Sequence, residues 1–151
     1  MSIDYEKVNN VLELFESQCQ KFGDRPYLWQ KINDNYEPQS YKEIYNQVCK
    51  ISLSLKNLGI LQGDRVVLVS ENRPEWLISD IAVMLASGIT VPAYTTYTEK
   101  DYKYLIEDCE PSIIIVSSEE MHEKLKNIIA EKTFIKKVIT FEKIQKADYE
   151  N

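Results

Sequence analysis

Apolar residues recur along this chain in two different rhythms, and the change between them falls near residue 60. Over 10–22, Val11, Leu12, Phe15, Cys19 and Phe22 stand at helical intervals and Gly23 with Asp24 follows, which predicts an amphipathic helix with a defined stop. Residues 27–41 alternate bulky and polar positions around Asn33, Asp34 and Asn35, the pattern of a short hairpin. A second helix is expected from Ser40 to about residue 58. Ser40 can cap it while Glu43 reaches back to the cap's own amide, and Ile44, Val48, Ile51, Leu55 and Leu58 form one stripe before Gly59.

Beyond the turn at Gly63 the rhythm becomes one of unbroken apolar runs. Four of them, 66–70, 89–94, 112–117 and 136–141, are rich in Val and Ile without alternation, as strands covered on both faces are. Helical periods fill 74–87, 99–108 and 119–131 between them. The order is therefore β-α-β-α-β-α-β with right-handed crossovers. The expected fold class is α/β: an N-terminal helix and short hairpin, then a small open, mostly parallel sheet flanked by helices. The final polar stretch offers no element to cover the last strand.

The helix expected at 74–87 stands out because Trp76, Leu77, Ile78, Ile81, Ala82, Val83, Met84, Leu85 and Ala86 surround it almost completely. One sheet face cannot cover such a helix, so burial by protein beyond this chain is expected. At its start, Asn72 can cap, Pro74 fits the first turn, and Glu75 stands where a capping box needs it. Arg73 and Trp76 are left over at a strand's carboxyl end and a helix N-terminus, where open α/β sheets bind ligands and anions are welcome. An anion site there is the minority reading beside a purely structural one.

Composition narrows the function classes. The chain has 151 residues, 44% of them hydrophobic, and a net charge of −6, which suits one domain with a core and gives no electrostatic footprint for nucleic acid. The longest apolar run, 81–86, is too short for a transmembrane segment, and the N-terminus lacks a leader pattern, so a cytoplasmic protein, at most peripheral to a membrane, is expected. Cys19, Cys49 and Cys109 have no metal-binding or redox spacing and read as small buried hydrophobes. The four glycines are read as helix stops (Gly23, Gly59, Gly88) and a turn residue (Gly63), which leaves no phosphate-cradling loop. His122, the only histidine, is read as solvated on a helix's polar flank, with neither a triad nor a zinc site around it. The acidic pairs Glu107/Asp108 and Glu119/Glu120 sit at helix ends, where carboxylates are ordinarily solvated or answer the macrodipole. Tyr94, Tyr97, Tyr102 and Tyr104 are expected to pack against further protein rather than face a substrate. No catalytic, cofactor-binding or metal-binding residue is nominated.

The order of short motifs carries a resemblance. Ser40-Tyr41 with Glu43, Leu58-Gly59-Ile60, Gly63-Asp64-Arg65-Val66, Asn72-Arg73-Pro74-Glu75-Trp76, and Gly88 followed by Val91-Pro92-Ala93-Tyr94 and Thr96 succeed one another. Together they resemble the N-terminal region of acyl-CoA synthetases of the adenylate-forming, AMP-binding superfamily, and most of all the long-chain fatty acid CoA ligase branch. The resemblance implies a parent reaction in which ATP, fatty acid and CoA give acyl-CoA, AMP and diphosphate through an acyl-adenylate. It also implies that residues 1–151 are an incomplete N-terminal AMP-binding domain. The family's glycine-rich phosphate loop, adenine and magnesium segment, ribose-binding aspartate and catalytic lysine have no counterpart in this sequence. ATP, Mg2+ and CoA are accordingly expected of the full-length family and not of this chain alone, which is expected to be inactive. A C-terminal companion chain or self-association is the implied partner. The alternative is a free-standing α/β binding or interaction module without ligase activity.

Overall fold

The computed structural model describes residues 8–142. Helix α1 (Val11–Phe22) starts where the Asn10 side chain accepts from the Glu13 amide and stops at Gly23, whose φ of 49° lets its amide donate to Cys19. Strands β1 (Pro26–Ile32) and β2 (Asn35–Ser40) form an antiparallel hairpin. Asn33 and Asp34 turn it with φ of 47° and 65°, the paired positive angles that a two-residue hairpin turn demands. Helix α2 (Tyr41–Asn57) opens with the expected capping box, Glu43 N to Ser40 Oγ at 3.2 Å and Ser40 N to Glu43 Oε2 at 2.8 Å. It ends one residue before Leu58, which is left partly exposed.

The four apolar runs become β3 (Arg65–Val69), β4 (Ile89–Ala93), β5 (Ile113–Val116) and β6 (Lys137–Thr140), all parallel, in the order β4-β3-β5-β6. Helices α3 (Pro74–Leu85), α4 (Glu99–Cys109) and α5 (Glu119–Ala130) make the crossovers. Alternate side chains of the sheet feed two separate cores. Val66, Leu68, Ile113 and Ile115 pack with α1, α2 and α3, while Val67, Val69, Ile114 and Val116 pack with α4 and α5. Double coverage holds for β3 and β5 alone. β4 and β6 are edge strands, and Ile89 is 51% exposed, so an unbroken apolar run there did not signal burial on both faces.

Helix α3 corrects a further expectation. Its cover comes from this chain: α2 packs along the side turned away from the sheet, and α1 and β1 also touch it. Ile78, Ala82 and Val83 are essentially inaccessible, and Leu85, at its last turn, is the helix residue left most open among the large apolar ones. The helix is therefore an inner layer between sheet and α2, and its all-round apolarity requires no second protein. Tyr102 likewise packs inside, with its hydroxyl donating to the Tyr94 carbonyl at 2.7 Å, whereas Tyr94 and Tyr104 are exposed.

Hydrogen-bond parity shows how the sheet edges are built. Ile89 N donates to Asp64 O at 2.8 Å, so Ile89, Val91 and Ala93 face β3, and Thr90 and Pro92 turn their backbone outward. Pro92 thus sits where its missing amide costs no ladder bond. On β2, Ser40 N is used by Glu43 and not by β1, so the outward positions are Tyr36, Pro38 and Ser40. Pro38 blunts that edge in the same way.

The stop after α3 is also not the one expected. Ser87, with φ of 69°, takes the left-handed position, while Gly88 is needed for space: a Cβ there would stand 3.1 Å from Val83 Cγ1, 3.2 Å from Asp64 O and 3.3 Å from Val83 O. Ser87→Gly is expected to stabilise the chain by about 0.5–1 kcal/mol, and Gly88→Ala to destabilise it by about 1–3 kcal/mol. Urea melts of the two variants check the opposite signs.

Candidate functional site

An open parallel sheet presents its crevice where the strand order reverses, at the carboxyl ends of the strands. Here that point lies between β3 and β5, because the first crossover leads outward to β4 and the next returns to the far side of β3. Residues 70–73 leave β3 for α3, and Ser117 and Ser118 leave β5 for α5. The Arg73 side chain dominates this end. Its Nε donates to Glu75 Oε2 at 2.9 Å, Nη2 to Glu75 Oε1 at 3.3 Å and Nη1 to Glu142 Oε1 at 3.3 Å, and the guanidinium lies 5.5 Å from the centre of the Phe141 ring.

This arrangement replaces the capping box expected at Asn72. Arg73 itself is the N-cap, with extended φ and ψ and no side-chain cap bond, and Pro74 occupies the first turn as anticipated. With the N-cap at Arg73, Glu75 stands one position too early for a box; its two oxygens accept from Arg73 instead, and Gln30 supports the same carboxylate. Burial pushes the Glu75 carboxyl up, but the bonds and charge of Arg73, with the backbone and Gln30 bonds, together outweigh it and hold the group below its ordinary value. Hydrogen bonds to Glu75 raise Arg73 in turn. With two carboxylates on the guanidinium, the anion-site reading loses its donor. Arg73 is a clamp that joins the start of α3 to the chain just after β6.

An open groove of about 410 Å³ adjoins the clamp, lined by residues that include Trp29, Gln30, Tyr36, Asn72, Arg73 and Pro74. A second, of about 280 Å³, opens between α1 and α2 beside Cys19, Gln20, Lys42 and Tyr45. Neither gathers a nucleophile with a base. Burial first, then Cys49 and Glu16, push the Cys19 thiol up to about 11, the reverse of an activated thiolate. Cys49 and Cys109 are half-buried rather than buried, and all three thiols are free. Among the described residues, no three His, Cys, Asp or Glu side chains gather as metal ligands.

His122 is buried, against expectation. The inward face of α5 is broad enough to take Met121, His122, Leu125 and Ile128, and His122 lies one turn before Leu125 on that face. The acidic pairs are ordinary in their contacts: Glu107 accepts from Lys132 at 2.7 Å, and Glu119 and Glu120 lie in the first turn of α5. Ser117 was not singled out in the sequence. Its hydroxyl is inaccessible and has no hydrogen-bond partner among the described residues, and nothing in its local pattern marks it apart from any serine after a strand.

Sheet order, flanking helices and motif succession define a class. Residues 15–150 match the family described as AMP-binding enzyme, and the chain belongs to it. Among curated relatives, it is 29% identical to the long-chain-fatty-acid–CoA ligase ACSBG2 of Xenopus laevis over 132 residues, which is 87% of this chain and 18% of that protein. It is 31% identical over 113 residues to the Gallus gallus ACSBG2, covering 75% of this chain and 15% of that one. The chain thus spans less than a fifth of the length of these ligases. Of the solved structures, coronafacic acid ligase from Pectobacterium brasiliense superposes with a TM-score of 0.82 at 22% identity, over 94% of this chain and 27% of its own. The N-terminal subdomain of NpsA from Klebsiella oxytoca superposes with a TM-score of 0.65 at 23% identity, over 72% of this chain and 28% of its own. These last two show the shared fold.

Glu75 is stabilising while ionised, so its contribution is present above the ordinary carboxylate range and is lost as pH falls through its lowered value. Arg73→Met is expected to cost about 1–2 kcal/mol at pH 7. The gap from the wild type should begin to shrink below about pH 4 and close as pH falls through the lowered value of Glu75, where the carboxylates become protonated in both. Urea unfolding at the two pH values measures it.

Proposed function

We propose that this chain is the opening scaffold of the AMP-binding module of a fatty acyl-CoA ligase and that it works only together with the remaining polypeptide of such an enzyme. The observation that carries this reading is the mismatch of coverage. The family match takes in nearly the whole chain, yet the chain accounts for only 18% of the Xenopus laevis ligase it resembles. The four glycines of the sequence support it, because three serve positive-φ turns and Gly88 serves close packing, so none remains for a phosphate cradle.

In the assembled enzyme, a fatty acid carboxylate oxygen attacks the α-phosphorus of ATP and diphosphate leaves. The CoA thiol then attacks the acyl carbonyl and AMP leaves. The family resemblance supplies this chemistry, with ATP, Mg2+ and CoA bound by the rest of the module. The chain's own part is to present the β3–β5 carboxyl ends and the clamped α3 as a rigid wall. A cytoplasmic location is the accompanying proposal, and no helix among the described residues is long and apolar enough to cross a membrane. The alternative, a free-standing module without ligase activity, draws on the two cores that the chain closes by itself.

Incubated with ATP, Mg2+, palmitate and CoA, the purified chain is expected to release neither diphosphate nor acyl-CoA above a protein-free control. Thioester formation proportional to the concentration of the chain would overturn that expectation.

A further inference from the structure

We propose that the end of the molecule at the amino ends of β3–β6 docks on an anionic lipid bilayer, with Leu61 entering the acyl boundary and Lys56 and Lys137 meeting the headgroups. The surface stands on its own chemistry, whatever reaction the chain serves.

Charge is segregated along the sequence. The chain has 24 acidic residues, yet none falls in 44–63, 81–98 or 132–141. Folding brings parts of these three segments together. Gly63 N donates to Ser87 O at 2.9 Å, and Ile89 N to Asp64 O at 2.8 Å. Lys136 Nζ donates to Gly59 O at 3.3 Å, so the loop from α2 to β3 crosses this end of the sheet from β6 toward β4. The carboxylate bordering the loop, Asp64, is already engaged by the Leu61 amide at 3.1 Å and by Lys136 at 3.5 Å. Glu110 and Glu131 end α4 and α5 in the other layer, where Glu131 pairs with Lys103 at 3.5 Å. Lys56, in the last turn of α2, and Lys137, which opens β6, are exposed and have no carboxylate partner among the described residues.

The net charge of −6 belongs mostly to the opposite end. Glu71, Glu99, Asp101, Glu119, Glu120 and Glu142 stand there, at the carboxyl ends of the strands. Strands of this length hold them about 15 Å away, beyond the roughly 8 Å over which charge acts in physiological salt. The molecule is therefore polarised, and an anionic plane attracts one end and repels the other.

Apolar exposure gathers at the same lysine-bearing end. Leu53, Leu58, Leu61, Leu85 and Ile89 are exposed, Leu61 most of all at 66%. Leu61 lies on a turn in which Asp64 N donates to its carbonyl at 3.1 Å, between Gly59 and Gly63 with φ of 87° and 82°. Neither groove described above reaches this tip. A protruding leucine flanked by lysines suits a bilayer, because hydrocarbon takes the leucine while the lysine stems carry their ammonium groups to the phosphates.

Co-sedimentation of the chain with vesicles tests this. Binding is expected with phosphatidylcholine vesicles that contain about 30% phosphatidylglycerol, and it should weaken at least about 10-fold between about 50 and about 500 mM salt. Phosphatidylcholine alone should bind far less. Lys56→Gln combined with Lys137→Gln is expected to lower the partition coefficient about 25-fold, at about 5-fold per lysine. Leu61→Ser should lower it about 10-fold or more. Lys100→Gln removes the same charge from the opposite end and should leave binding within about 2-fold. All four side chains are exposed, so the variants should keep the wild-type urea midpoint. Absence of binding to the anionic vesicles, or equal binding to both kinds, would overturn the proposal. So would binding that the Lys56/Lys137 and Leu61 variants retain, or a loss as large from Lys100→Gln. A dimer in lipid-free sedimentation velocity that Leu61→Ser dissolves would assign the surface to a second copy instead.

Discussion

Enclosure of α3 is the constraint on which the rest depends. A helix with apolar residues around nearly its whole circumference must lie in an inner layer, because any exposed side would leave large hydrocarbon surface in water, at roughly 25 cal/mol per Å². The sheet covers one side through Val66, Leu68, Ile113 and Ile115, and α2 covers the other. That requirement explains why a helix and a hairpin precede the α/β repeat. Without α1, β1 and α2, the βα units would have one face dry and the other bare. The opposite face needs no such prefix, because α4 and α5 are amphipathic and can end in solvent.

A chain layered in this way leaves its unsatisfied backbone at strand edges, and the edges are treated unequally. Proline stands at the outward position of β2 and of β4, so two edges are closed to pairing at no cost to the fold. The β6 edge is left open and is braced by Arg73. The clamp spends both carboxylates within reach on one guanidinium, which removes Arg73 from ligand binding and makes it a fastener between α3 and the sheet.

The sequence made the helices, the strand runs and their parallel arrangement legible, though not their order in the sheet, because apolar periodicity follows burial directly. It was less informative where one residue type serves two physical ends. Gly88 read as a helix stop by its position, yet Ser87 bears the positive φ and Gly88 yields space to Asp64 and Val83. The Asn72 to Glu75 spacing satisfied the capping-box pattern, but the pattern is blind to an arginine between them that binds the glutamate more strongly than a neutral amide could. His122 lay one step beyond the inward stripe of its helix, and the width of a buried face is set by what packs on it, which local spacing does not encode. The exposure of β4 and β6 escaped for the same reason. A Val/Ile run states that a strand is apolar, while its place in the sheet depends on the order in which crossovers return.

The distribution of chemistry follows from this architecture. Turns and close packing account for every glycine, carboxylates occupy the arginine at the sheet's carboxyl end, and burial holds the Cys19 thiol protonated. Those glycines and Arg73 are engaged in holding the fold together. On the scaffold reading proposed above, such a polypeptide contributes by position rather than by functional groups, fixing the plane and register of a sheet. Membership of the AMP-binding family without a glycine-rich phosphate loop is consistent with that reading, since the part of an enzyme that sets geometry need not be the part that touches nucleotide.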